Sequence, residues 1–168
     1  MAIEVREAWP EEYGEAGRVT ADAYREFVRP DDPGGWEEYL ARIADVAGRA
    51  GRTTVVVAVD EGRVLGSATL ELTGRTEPGE DDPVPPEEAH VRMLGVDPSE
   101  RGRGIAKALM VECLRLAREA GKAQMTLNTT ERMRLAQRMY ESLGFVRGQD
   151  EVFPDGFVLL SYAKRLDP

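Results

Sequence analysis

The sequence predicts a mixed α/β domain, a single sheet of parallel and antiparallel strands with helices on its faces. Three observations predict it. The chain has 168 residues, a length that suits one domain able to bury about two-thirds of its unfolded surface. β-Branched apolar runs alternate with segments whose apolar residues recur every three or four positions. The two kinds follow one another as β-α-α-β-β-β-α-β-α-β-β, with no repeat and no interior linker, so residues 1–168 read as one unit.

In chain order, Ile3 and Val5 alternate with charged neighbours as a short first strand. Pro10 opens a helix in which Val19, Ala23 and Phe27 recur every four residues. Pro30 to Gly35 is a break, and Trp36, Leu40, Ile43 and Ala47 then carry a second helix to about Ala50. Thr53 to Val59 is a buried strand, Asp60-Glu61-Gly62-Arg63 a hairpin turn, and Val64 to Leu72 the returning strand. The loop from Thr73 to Glu88 contains Pro78, Pro83, Pro85 and Pro86, with six acids among them. It is either a solvated excursion or an acidic lip that attracts a cationic acceptor. No His is spaced among these acids, so no metal site is expected there.

The central strand runs from His90 to Val96. A helix over Gly104–Ala120 follows, its stripe carried by Leu109, Cys113, Leu116 and Ala120, with Gly121 as its stop. Next come a strand over Gln124–Asn128 and a helix over Thr130–Leu143 with Met133, Ala136, Tyr140 and Leu143 on one face. Gly144 ends that helix and Phe145-Val146 starts a strand. Phe153 to Phe157 turns the chain into a last strand through Val158, Leu160 and Tyr162.

Charge and composition exclude several function classes. Acids outnumber bases 31 to 22, for a net charge of −9, which argues against nonspecific nucleic-acid binding and suits a basic acceptor such as an amine. No apolar run approaches the length of a membrane span, and Met1 to Glu7 lacks the apolar core of a signal peptide. A single cysteine forms no intrachain disulfide, and a cytoplasmic location is the expectation.

The most informative stretch is His90 to Leu109. A strand leads through Asp97-Pro98 into a glycine-bearing loop and the start of a helix. Helix N-termini carry unpaired N–H groups and partial positive charge, so acids normally favour them. Here Arg101, Arg103 and Lys107 cluster instead, with Gly102 and Gly104 leaving the backbone open to an anion such as phosphate. A P-loop would need Gly-Lys-Ser/Thr, and Gly104 is followed by Ile105-Ala106-Lys107. The dinucleotide fingerprint would need Gly or Ala where Lys107 stands.

What does fit is Arg-x-x-Gly-x-Ala, from Arg101 through Gly104 to Ala106, after Met-Leu-Gly-Val-Asp-Pro. The stretch closely resembles the acyl-CoA-binding motif of the GNAT superfamily of N-acetyltransferases. The element order is also that of the GNAT fold, so the resemblance covers nearly the whole chain, in element order alone over its first seventy residues. It implies a splayed central sheet and an acetyl-CoA co-substrate whose pyrophosphate lies on the loop Arg101-Gly102-Arg103-Gly104-Ile105-Ala106. The pantetheine arm would pair with Leu94 and Val96 like an added strand. Gly95 would permit the family's bulge, or is a plain packing glycine. The Leu94 N–H would polarise the thioester carbonyl.

The implied reaction is direct acetyl transfer to a primary amine of a small molecule or peptide. Tyr140 is the candidate acid for the departing thiolate, although it also occupies an apolar stripe and would pack there. Asn128 either touches the pantetheine amides or is a turn residue. Glu88 stands where relatives keep an acid and is the candidate base; otherwise it is the last charge of the acidic loop. His90 or a water is the alternative, histidines titrating near pH 6.5. Cys113 reads as a buried, inert thiol. Trp36, Tyr39, Tyr24 and Phe157 are the pointers to an acceptor pocket. The rival reading is a non-catalytic acyl-CoA sensor, which would keep the loop and have no need of Tyr140. Members of the family often pair, which leaves a homodimer open.

Overall fold

The computed structural model describes residues 2–29, 31, 34–73 and 84–166. Most of the acidic loop, including Glu77, Glu80, Asp81 and Asp82, therefore lies outside the described residues, and with it the acidic-lip reading.

The expected mixed sheet is present with eight strands: β1 (Glu4–Glu7), β2 (Thr54–Asp60), β3 (Arg63–Glu71), β4 (Glu88–Val96), β5 (Gln124–Thr130), β6 (Val146–Arg147), β7 (Glu151–Val152) and β8 (Val158–Arg165). Their spatial order is β1-β2-β3-β4-β5-β8-β6, with β7 also on β8. Every pairing is antiparallel except β4 with β5. The helices are α1 (Tyr13–Arg25), α2 (Trp36–Ala44), α3 (Val46–Ala50), α4 (Ile105–Glu119) and α5 (Arg134–Ser142).

Alternation along β2 shows how both faces are used. Val56 and Ala58 join the core under α4 and α5, with Leu109, Cys113 and Tyr140. Val55, Val57 and Val59 face the other way, packed with Ala16 of α1 and Val46 of α3. A strand buried on both faces reads as a continuous apolar run, and Thr-Val-Val-Val-Ala-Val-Asp is one.

Three expected boundaries are corrected. The helix expected over residues 36–50 is two helices broken at Asp45, whose carboxylate caps the second by accepting from Gly48 N at 3.0 Å. The break is held by buried Arg49. Its Nη1 donates to Arg42 O at 2.7 Å, its Nη2 to Ile43 O at 2.9 Å, and its Nε to Thr69 Oγ1 of β3 at 3.0 Å. One guanidinium thus binds carbonyls at the end of α2 and ties that helix to the sheet. Secondly, β5 continues to Thr130, and α5 begins at Arg134 rather than Thr130. Thirdly, the strand begun at Phe145-Val146 is two short strands, β6 and β7, which both pair with β8.

Two glycines set how close the helices approach. A Cβ on Gly95 would lie 3.1 Å from Thr20 Cα and Ala23 Cβ of α1. A Cβ on Gly66, in the neighbouring strand, would lie 3.2 Å from Ile105 Cγ2 and Leu109 Cδ1 of α4. The sheet is therefore pinched between α1 and α4 at one level.

Candidate active site

At that same level the sheet opens. β4 and β5 pair in register from Glu88↔Gln124 to Val91↔Leu127 and no further. Opposite β3, the register jumps so that Met93 and Leu94 together face Ala68, between the pairs Thr69↔Arg92 and Ser67↔Gly95. This is a β-bulge, and Met93 takes φ +55° within it, a left-handed conformation that non-glycine residues rarely adopt. The expectation had placed the bulge's freedom at Gly95. The structure puts the distortion at Met93 and leaves Gly95 as the close contact for α1. Strain of this sort persists only where surrounding packing enforces it, and buried Met93 packs with Ala21, Leu40 and Ile43.

Two clefts meet at the opening. The first, of about 490 Å³, is lined by Leu94, Gly95 and Val96, by Arg101, Gly102, Gly104, Ile105, Ala106 and Lys107, and by Asn128, Ala136 and Tyr140 across from them. The bulge end of β4 has no strand partner on its β5 side among the described residues, so its backbone edge is open to hydrogen bonding. Gly102 and Gly104 take φ +84° and +74°, and a Cβ at either would meet nothing within 4 Å. Gly104 is also the N-cap residue of α4, and no side chain caps that helix. Open N–H donors at a fifteen-residue helix, reached past bare glycines, are the backbone features that suit a diphosphate.

The three expected cations divide. Lys107 lines the cleft. Arg103 turns away: its Nη1 donates to Glu100 Oε2 at 2.6 Å and its Nη2 to Asp60 Oδ2 at 3.3 Å. Its guanidinium is thus no cleft residue, and only its backbone remains in the loop. Arg101 reaches across the cleft to Glu26, just beyond α1, in a two-point ion pair, with Nη1 to Oε2 at 3.0 Å. A bound diphosphate would compete with Glu26 for this arginine. Neither Glu26 nor Arg132, whose Nη1 donates to Phe27 O at 2.9 Å on the same cleft, was indicated by any local pattern.

Tyr140 is buried, with its ring against Phe145 (6.0 Å between centroids) and Tyr162 (5.9 Å). It packs in the core and lines the cleft as well, so its packing does not take it out of the site. Its hydroxyl has no hydrogen-bond partner among the described residues. Burial, reinforced by Cys113 and Tyr162, pushes the phenol above its ordinary range and keeps it protonated. Asn128 lines both clefts, and its Oδ1 accepts from Ser161 Oγ at 3.2 Å. The Cys113 thiol is fully buried and pushed up to about 12 by desolvation, which fits an inert core residue.

The second cleft, of about 450 Å³, lies on the other side of the opening and shares Tyr24, Asn128, Thr129 and Met133 with the first. Its wall is aromatic. Trp36 meets Tyr39 at 5.9 Å and Phe157 at 6.5 Å, Tyr39 meets Tyr24 at 6.2 Å, and Phe153 meets Phe157 at 5.9 Å. All four of the expected aromatics line it, and Phe153 is added. His90 lines this cleft too, its Nδ1 2.8 Å from Thr126 Oγ1. Glu88 does not: it starts β4 at the closed end of the β4–β5 pair and accepts from Gln124 Nε2.

A comparison with known proteins decides the family, since residues 18–145, more than half of the chain, match the acetyltransferase (GNAT) family. The chain belongs to that family. Its class is accordingly an acetyl-CoA-dependent acyltransferase, as the loop motif implied. It is 35% identical over 107 residues to glucosamine 6-phosphate N-acetyltransferase of Trypanosoma brucei brucei, covering 63% of this chain and 67% of that enzyme. It is 42% identical over 69 residues to a mycothiol acetyltransferase of Thermobispora bispora, covering 41% of this chain and 22% of that longer protein. Among solved structures, yncA of Salmonella typhimurium, an acetyltransferase with acetyl-CoA bound, has the same fold: TM-score 0.72, 19% identity, 100% of this chain and 96% of that one. No helix among the described residues is long and apolar enough to cross a membrane.

Proposed function

We propose that this GNAT protein moves the acetyl group of acetyl-CoA directly to a primary amine of a small molecule or peptide. The observation that carries the reading is the parting of β4 and β5 beyond Val91↔Leu127, which joins a backbone-lined cleft to an aromatic one. Acetyl-CoA would lie in the first, with its diphosphate on the N–H groups from Arg101 to Ala106 and its pantetheine arm along Leu94 and Val96. The Leu94 N–H would then face the thioester oxygen. The amine would enter from the aromatic cleft.

In transfer, the amine nitrogen forms the C–N bond while the C–S bond breaks. Tyr140 donates a hydrogen bond to the departing thiolate. A thiolate of pKa about 8.5 is a weaker base than a buried phenolate, so the phenol keeps most of its proton and stabilises the leaving group as a donor. The amine must shed a proton on the acceptor side. His90 lines that side and Glu88 lies outside both clefts, so the role of base passes to His90, acting through water.

The experiment is release of free CoA from acetyl-CoA across a panel of amines, with cofactor affinity measured by calorimetry. Amine-dependent release is expected. Tight acetyl-CoA binding with no release for any amine would instead favour a sensor. In the same assay His90→Gln should remove the rise of kcat/KM over the range where histidines titrate, and an unchanged limb would take His90 out of the mechanism.

A further inference from the structure

Tyr24 stands at the junction of the two clefts, lining both. Its position follows from the pinch of the sheet. Gly95 lets Thr20 of α1 settle on β4, at 3.1 Å from where a Cβ would lie, and Tyr24 is one helical turn beyond Thr20. The side chain therefore projects over the bulge, beside Leu94. Tyr24 and Leu94 line the same cleft, and the Leu94 N–H and Tyr140 are both close enough to act on the Tyr24 phenol electrostatically. Tyr39, edge-on at 6.2 Å, backs the ring.

The Leu94 N–H is the group that the transferase reading assigns to the thioester oxygen, so that oxygen would lie beside the Tyr24 side chain. We propose that the Tyr24 hydroxyl is a second hydrogen-bond donor to the thioester carbonyl oxygen, beside the Leu94 N–H, and is thereby a catalytic residue of acetyl transfer. The proposal rests on the transferase reading. When acetyl-CoA binds, its carbonyl oxygen takes the Leu94 N–H, and the neighbouring Tyr24 hydroxyl turns its own hydrogen toward that oxygen. As the amine attacks, the carbonyl π pair moves onto oxygen, between these two donors. The pair then returns, the C–S bond breaks, and the thiolate leaves against Tyr140. Tyr24 loses no proton in the cycle. Its burial serves this role, because desolvation holds the phenol well above its ordinary range and so in its donor form.

The test reads the carbonyl directly and needs no acceptor. Acetyl-CoA carrying a ¹³C=O label is bound to wild type, Tyr24→Phe and Tyr140→Phe, and its isotope-edited infrared band is compared with that of free acetyl-CoA. The band should fall in frequency in wild type, return part of the way in Tyr24→Phe, and stay at the wild-type position in Tyr140→Phe. With the best amine of the panel, kcat of Tyr24→Phe should drop about 100-fold, while acetyl-CoA affinity stays within about twofold. Retained affinity also shows that the variant folds. If Tyr24→Phe binds poorly, Tyr24→3-fluorotyrosine keeps the shape, strengthens the donor, and should lower the band further. An identical band in wild type and the position-24 variant, or an unchanged kcat, overturns the proposal. Wild type that releases no CoA for any amine overturns the transferase reading instead, and the band still reports whether Tyr24 touches the carbonyl.

Discussion

The two clefts that meet at the sheet opening differ in what they are made of. The first cleft offers backbone along one wall: the bulged edge of β4, the loop from Arg101 and the uncapped start of α4. The acceptor cleft is built from side chains brought in by α1, α2 and the turn between β7 and β8, with Tyr24, Trp36, Tyr39, Phe153 and Phe157 in ring contact. Backbone recognition asks for bare glycines and a helix start in one short stretch. Side-chain recognition asks only that distant residues meet. On the proposed function, one cleft would be tied to a fixed ligand feature, a diphosphate, while the other would vary with the acceptor.

That contrast can be broken most severely at Gly104. At φ +74° a β-branched side chain is strained and would stand over the loop amides. Gly104→Val should weaken acetyl-CoA binding at least ~100-fold by calorimetry, on the scale of a lost multi-donor anion site. Binding within about threefold of wild type would remove the diphosphate from this loop. Next is Tyr140→Phe, expected to lower kcat by about 100-fold with acetyl-CoA affinity nearly unchanged. The sign of the pH effect follows from burial: a phenol pushed above 10 is still a donor at pH 9.5, so kcat should show no loss from Tyr140 between pH 8 and 9.5. A decline over that range present in wild type and absent in Tyr140→Phe would contradict the assignment.

The acceptor side should respond differently. Trp36→Ala opens the aromatic wall and should raise the amine KM about tenfold while leaving acetyl-CoA affinity alone. Equal losses on both sides would mean that the clefts are not separable. The smallest effect is expected at Glu26. Its pair with Arg101 is substantially exposed, so breaking it is worth ~1 kcal/mol or less. Glu26→Gln should tighten acetyl-CoA binding by a few-fold and steepen its dependence on salt, because Arg101 becomes free for phosphate. Weaker binding would show that Glu26 holds Arg101 in place rather than competing for it.

The same division explains what could be read in advance. The central strand, Asp-Pro turn, loop and helix were legible because each leaves a local mark: alternation, a turn residue, bare glycines, a stripe at three and four. The residues expected along the cofactor, from Leu94 and Val96 to Asn128 and Tyr140, do line one cleft. Arg103 misled because a cation beside an anion loop is indistinguishable in sequence from one already paired, here with Glu100 and Asp60. Glu88 misled because its distance from the opening depends on where β4 and β5 cease to pair. Arg49 gave no sign of being a buried brace, since the carbonyls and threonine hydroxyl that it holds leave no recognisable spacing in the sequence.

By itself the sequence determined the kind of fold, the helix after the central strand with its stop at Gly121, and the glycine-bearing loop before it, because these rest on interactions between residues near in sequence. Only the tertiary structure decided the rest. The left-handed Met93, the level at which the sheet opens, the meeting of five aromatics and the place of Tyr24 where the two clefts join all arise from packing between distant segments. Met93 pays for its backbone strain through burial against α1 and α2, a balance that no window of neighbouring residues contains.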